Sequence, residues 1–274
     1  KAGAEKMATV WFEALKKVLA SSETVFSPEI VRYKTLEDGD SLALHIFKPR
    51  NMQAGEKRPV IVYFFGGGWK LGTPIQFYRE CAYYASKGMV AVSVDYRIGY
   101  LHHSTPFESV EDAKDAICWL RSHASDYQLD PDKIAVAGGS AGGHLAAALG
   151  TIGSDEAVNY RPNLSVLYYP VVDMVSRGYG FPEIKRDFEK ISPIHHVSEA
   201  TPSTLILLGT KDPIVSVETI RSYQDKLLQK GVDCELHLFE GAGHPIFLYR
   251  KPLTEDYYKV RKLTDDFLKR EGFL

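Results

Sequence analysis

The chain has 274 residues, 45% of them hydrophobic and 25% charged, with a formal net charge of −2, a balance that suits one large domain with a substantial core. Lysine and arginine are nowhere clustered as a phosphate-tracking surface requires, and no apolar run approaches the roughly 18 residues of a membrane span. Neither nucleic acid nor a bilayer is therefore an expected partner.

An amphipathic helix is expected over Glu5 to Ala20, followed by strands at Ile30 to Leu36 and Leu42 to Phe47. Glu37-Asp38-Gly39-Asp40 between them reads as the turn of an edge hairpin. Further apolar strand runs occupy Val60 to Phe64, Val90 to Val94, Ile134 to Ala137, Leu164 to Tyr168, Thr204 to Leu208 and Cys234 to Phe239. Helix-like segments near Pro74 to Lys87, Glu108 to His123, Ala141 to Leu149, Val215 to Gln229 and Thr254 to Lys269 alternate with them. That alternation implies an α/β architecture in which mostly parallel strands carry helices on both faces. The chain reads as a single domain over 1–274, with a small lid insert at roughly 173–202. Cys81, Cys118 and Cys234 form no motif and read as packing thiols.

Gly138-Gly139-Ser140-Ala141-Gly142 sets the pattern Gly-x-Ser-x-Gly between the strand ending at Ala137 and a helix of small residues. In that context Ser140 is the candidate nucleophile, on a turn too tight for side chains at Gly138, Gly142 or Gly143. A serine hydroxyl needs a base and a group to orient it, expected later in the chain in the order acid, then histidine. Gly209-Thr210-Lys211-Asp212-Pro213 follows one strand and supplies Asp212; Glu240-Gly241-Ala242-Gly243-His244-Pro245 follows the next and supplies His244. Asp173, after the strand at Leu164, is the rival acid. His144 is the rival base, although it lies inside the helix after the serine. Asp95 reads as a structural acid paired with a nearby arginine. The adjacent pairs His102-His103 and His195-His196 lack the spacing of a metal site, and no metal or cofactor is expected.

Phe65-Gly66-Gly67-Gly68-Trp69 follows the strand at Val60. Amides of Gly67 and Gly68, with that of Ala141, are the candidate donors to the oxyanion of a tetrahedral intermediate. Trp69 and Tyr169 are candidate substrate contacts, as a stacking face for a sugar or a wall for an acyl group, with core packing the competing reading for Trp69.

On these pieces, together with Asp95-Tyr96-Arg97, Thr105-Pro106-Phe107 to Trp119-Leu120-Arg121, Tyr169-Pro170-Val171 and Gly241 to Pro245, the chain resembles an α/β-hydrolase of the hormone-sensitive-lipase-like esterase group. Within that group it is similar to bacterial carbohydrate esterases of the acetylxylan and feruloyl type. The resemblance implies an eight-stranded α/β-hydrolase sheet and a cofactor-independent serine esterase. It also implies an acylated oligo- or polysaccharide substrate and a secreted or periplasmic location. A general short-chain carboxylesterase is the nearer alternative, and a catalytically idle binding protein of the same fold the more distant one. Two positions depart from the family pattern. Phe65 stands where the glycine motif usually opens with histidine, and cannot donate the hydrogen bonds expected to hold the loop. Pro245 follows His244 where glycine is common. The small insert suggests an open cleft, with Arg177, Tyr179, Phe181, Lys185 and Arg186 as candidates to line it.

Overall fold

Eight strands form one sheet: β1 (Glu29–Thr35), β2 (Ser41–Phe47), β3 (Arg58–Phe64), β4 (Val90–Val94), β5 (Leu129–Gly139), β6 (Leu164–Tyr168), β7 (Ser203–Gly209) and β8 (Cys234–Phe239). The computed structural model describes residues 27–50, 52–153, 159–174, 187–248 and 253–274. The expected helix at Glu5 to Ala20 and the five candidate cleft residues of the insert lie outside these. The spatial order is β1-β2-β4-β3-β5-β6-β7-β8. β1 with β2 and β2 with β4 are antiparallel, and every other neighbouring pair is parallel. This is the edge hairpin and parallel sheet that the alternation of runs predicts.

The hydrophobic patterns follow from position. β4 and β6 are buried along their whole length, because helices cover both faces of a parallel sheet, so such strands read as continuous apolar runs. The outermost strand β1 has no buried residue, and β2 buries Leu42, Leu44 and Ile46 in alternation, as one-sided burial requires.

Five principal helices pack on the sheet: α1 (Tyr78–Ser86), α2 (Pro106–Ser122), α3 (Ala141–Thr151), α4 (Val217–Gln229) and α5 (Glu255–Arg270). α2 starts at a capping box, in which Thr105 accepts from the first turn and Glu108 reaches back to the Thr105 amide. Ser216 and Thr254 cap α4 and α5. α3 is buried on all sides, which explains its run of alanine and glycine. The helix expected from Pro74 is divided: a 3-10 turn covers Pro74–Phe77, with the Thr73 hydroxyl accepting from the Ile75 amide, before α1 begins at Tyr78.

Among the described residues Asp95 is paired with no arginine. Arg97 instead grips Asp112 of α2 through Nε and Nη2, both at 2.8 Å, and Lys34 of β1 binds the same carboxylate at 2.6 Å. Asp112 is fully buried, so two cations converge on it where solvent cannot. Asp95 accepts from the Tyr96 amide, and burial, with the Asp112 charge as a lesser cause, pushes its carboxyl up to about 7.

Candidate active site

β5 ends at Gly139 and α3 begins at Ala141, so Ser140 alone makes the turn between them. Its backbone sits at φ 56°, ψ −119°, a conformation costly for any residue with a Cβ. The surroundings hold it there. The Ser140 amide donates to the Tyr168 carbonyl at 3.0 Å, and the Ser140 carbonyl accepts from the His144 amide at 2.9 Å. The flanking glycines are sterically required: a Cβ on Gly142 would lie 2.0 Å from the Phe64 carbonyl oxygen, and one on Gly138 would lie 2.3 Å from that of Gly142.

The loops after β7 and β8 bring the other two predicted residues to this turn. Ser140 Oγ lies 2.8 Å from His244 Nε2, and His244 Nδ1 lies 2.7 Å from Asp212 Oδ2. The second oxygen of Asp212 accepts from the amides of Ile214 and Val215 at 2.8 and 2.9 Å. Burial alone would raise the Asp212 carboxyl. The hydrogen bond from His244 and those from Val215 and Ile214 outweigh it and hold the pKa below the ordinary carboxylate value. Asp212 is therefore ionised and can only accept, which places the proton of a neutral imidazole on Nδ1 and leaves Nε2 free to accept from the serine. The Asp212 side chain is fully buried, whereas that of His244 keeps 13% exposure toward solvent. Asp173 is not the acid on His244. His144 turns away from Ser140 Oγ: its Nδ1 accepts from Trp69 and its Nε2 donates to the Ile191 carbonyl.

Gly67 and Gly68 have φ of 141° and 62°. A Cβ on Gly67 would fall 1.9 Å from the Leu71 carbonyl oxygen, so the loop closes only over glycine. Among the described residues the Gly67 and Gly68 amides donate to no protein acceptor. Ala141 opens α3, so its amide has no partner within the helix. The Gly66 amide, by contrast, donates to Gln76 Oε1 at 2.6 Å. Sequence reasoning missed Gln76, which lies ten residues away in a segment that reads as plain helix.

Neither aromatic candidate forms an open stacking face. Trp69 is 2% exposed, its φ of 57° turning it inward, where its ring stands edge-on to His144; it is a core residue. Tyr169 is 5% exposed and its ring stands edge-on to His244, 4.8 Å between centroids, so it backs the imidazole. Among the described residues no group of three His, Cys, Asp or Glu side chains could hold a metal ion, and no helix is long and apolar enough to cross a membrane. His102 accepts from the Ile98 amide and His196 donates to the Glu189 carbonyl, local bonds that account for one member of each histidine pair.

A serine, an acid and a histidine in that chain order, joined by hydrogen bonds at the C-terminal ends of the parallel strands β5, β7 and β8, are the arrangement of a serine hydrolase of the α/β-hydrolase fold. The BD-FAE family model matches residues 44–180. The chain belongs to this family and has the α/β-hydrolase fold. It is 30% identical over 239 residues to the esterase LipC of Mycobacterium tuberculosis, covering 76% of this chain and 57% of LipC. It is 25% identical over 242 residues to an acetylxylan esterase of Xylanibacter ruminicola, covering 81% of this chain and 48% of that one. The chain thus spans about half the length of the curated relatives it matches. Among solved structures, the propionate-bound thermophilic esterase Est2 of Thermogutta terrifontis superposes with a TM-score of 0.84 at 38% identity, covering 90% of this chain and 96% of that one. Its butyrate-bound form gives 0.84 at 36% identity, covering 90% and 95%. The form phosphorylated by paraoxon gives 0.84 at 37% identity, with the same coverage.

Proposed function

We propose that the protein is a serine carboxylesterase releasing short acyl groups. The observation that carries this reading is the unbroken bond line from Asp212 through His244 to Ser140, which ends on a hydroxyl at a strained, glycine-walled turn. Ser140 Oγ attacks the ester carbonyl while His244 Nε2 takes its proton. The amides of Gly67, Gly68 and Ala141 receive the developing oxyanion. The imidazolium, held by Asp212, then returns the proton to the departing alcohol, and water repeats the sequence on the acyl-serine. The propionate and butyrate bound by the similar Thermogutta esterase support a short acyl group.

A second reading, an exported esterase acting on acetyl or feruloyl groups of plant polysaccharide, draws support from the BD-FAE match and the acetylxylan esterase relative. Burial of Trp69 and Tyr169 removes the stacking faces that would favour a sugar chain, so the general carboxylesterase comes first. The test is hydrolysis of p-nitrophenyl acetate, butyrate and octanoate beside a feruloyl ester and acetylated xylan, with Ser140→Ala as the blank. Rates falling from acetate or butyrate to octanoate, with little release from xylan or the feruloyl ester, are expected. Dominant release from either of those would put the second reading first, and no serine-dependent release from any substrate would favour a binding protein of this fold.

A further inference from the structure

We propose that Gln76 is a positioning residue of the oxyanion loop, acting as the acceptor for the Gly66 amide. The inference rests on the esterase reading above and concerns how this chain holds a loop headed by Phe65. The Phe65 side chain can make no conventional hydrogen bond. Its ring is buried and stacked on Tyr96, 4.1 Å between centroids and 16° between planes, and its carbonyl accepts from the Tyr96 hydroxyl at 2.6 Å. These contacts fix the residue before the glycines. The glycines themselves have no side chains to anchor them, and two have positive φ, so the backbone is free to take other conformations unless tied from outside.

Gln76 supplies that tie at the start of the glycines, as the Trp69 indole bond to His144 and the Gly99 amide bond to the Trp69 carbonyl do at their end. Its Oε1 accepts from the Gly66 amide at 2.6 Å, one residue before the first free donor. The bond is made beside the nucleophile, since a Cβ on Gly66 would lie 3.4 Å from Ser140 Cβ and 3.6 Å from Gln76 Oε1. The amides of Lys70 and Leu71 both donate to the Gly67 carbonyl at 3.2 Å, which shapes the loop internally without fixing it to the sheet. Gln76 stands on a rigid base. Its own amide donates to the Thr73 carbonyl at 3.1 Å, and the buried Ser93 hydroxyl of β4 donates to the Pro74 carbonyl at 2.7 Å. By occupying the Gly66 amide, Gln76 also leaves Gly67 and Gly68 as the loop's outward donors. Oxyanion donors act only when preorganised at hydrogen-bond distance from the developing charge, and a misplacement of about 1 Å can cost on the order of a hundredfold in rate.

The test compares Gln76→Met, which keeps the length and removes the acceptor, with Gln76→Glu, which keeps an acceptor. For p-nitrophenyl acetate, kcat of the Met variant should fall by about ten- to a hundredfold with KM within about twofold. Its affinity for a phenylboronic acid, which forms a tetrahedral adduct on the serine, should fall with kcat. Hydrogen exchange in the peptide covering 65–72 should accelerate in the Met variant and stay near wild type in the Glu variant. Unchanged kcat and unchanged exchange in Gln76→Met would overturn the proposal, as would a loss confined to KM. Wild-type protein without serine-dependent hydrolysis, but with the exchange difference present, would sink the esterase reading and leave the tether standing. Active wild type with an indifferent Met variant would sink the tether alone.

Discussion

The indole Nε1 of Trp69 donates to His144 Nδ1 across 3.2 Å, so the histidine nearest Ser140 in sequence holds the end of the glycine loop rather than the serine hydroxyl. An indole nitrogen can only donate, which requires His144 Nδ1 to be bare and its proton to sit on Nε2, where it meets the Ile191 carbonyl at 2.6 Å. The side chain is fully buried and saturated as the neutral tautomer.

That arrangement predicts acid sensitivity. Burial, opposed by the bond to the Ile191 carbonyl, brings His144 down to about 4 from an ordinary 6.5. Between these values the unfolded chain binds a proton that the folded chain refuses, so the stability His144 contributes is fully present above about pH 6.5 and is lost as pH falls toward 4. The loss across that window is on the order of 3 kcal/mol. His45, also brought to about 4 by burial, acts in the same direction, whereas Asp95, raised to about 7 by burial, acts in the opposite direction over the same window, so the His144 contribution is read as a difference between variants. Urea unfolding of wild type and His144→Gln between pH 7 and 4.5 checks this: the wild type should lose stability relative to the variant as pH falls, and parallel profiles would refute the assignment.

The strain at Ser140 should be measurable as a difference between two inactive variants. Ser140→Ala keeps a Cβ at φ 56°, whereas Ser140→Gly removes it. Relief of about 1–3 kcal/mol of strain is partly offset by the larger entropy glycine gains in the unfolded chain, about 0.4–1 kcal/mol. The Gly variant should therefore unfold at higher urea than the Ala variant, with a net advantage near 1 kcal/mol. Equal midpoints would mean that the turn stores no strain.

Asp212→Asn should abolish activity while preserving the fold. An asparagine oxygen can still accept from Ile214 and Val215, but its NH2 would face His244 Nδ1. The imidazole would then carry its proton on Nε2 and could no longer accept from Ser140. A fall in kcat on the order of 10³- to 10⁴-fold is expected, with the melting temperature little changed. A loss of only a few-fold would show that another acid orients the base.

The sheet and the Ser140, Asp212 and His244 arrangement were legible because both are written locally. Doubly covered strands appear as unbroken apolar runs, and the glycines around Ser140 mark a turn that admits no side chain. Asp212 and His244 each follow such a run within a glycine-bearing loop. Features made by contacts distant in sequence were not legible. Arg97 takes Asp112 because α2 crosses it, though Asp95 is nearer along the chain. Trp69 turns inward because its backbone adopts a positive φ, for which an indole side chain gives no warning. Gln76 reaches the Gly66 amide from a 3-10 turn whose apolar spacing resembles ordinary helix.

Tyr169 couples the nucleophile turn to the base, and this coupling can be tested at Gly139, against the other side of the ring. A Cβ on Gly139 would lie 2.7 Å from the Tyr169 hydroxyl oxygen and 2.9 Å from Cζ. On the other side the ring stands edge-on to His244, 63° between planes. A ring that is buried and packed on both sides cannot yield without moving its neighbour, so Gly139→Ala should press Tyr169 against the imidazole and lengthen the His244 to Ser140 bond. We expect kcat to fall about tenfold or more while KM changes little. Tyr169→Ala should also lower kcat, because the imidazole loses its backing. The Gly139→Ala/Tyr169→Ala double variant should be no slower than Tyr169→Ala alone, since the added methyl then has space. The pair is in direct contact, where such non-additivity is the rule. Strictly multiplicative losses in kcat would show that Gly139 acts on the turn by another route and that Tyr169 does not transmit the change.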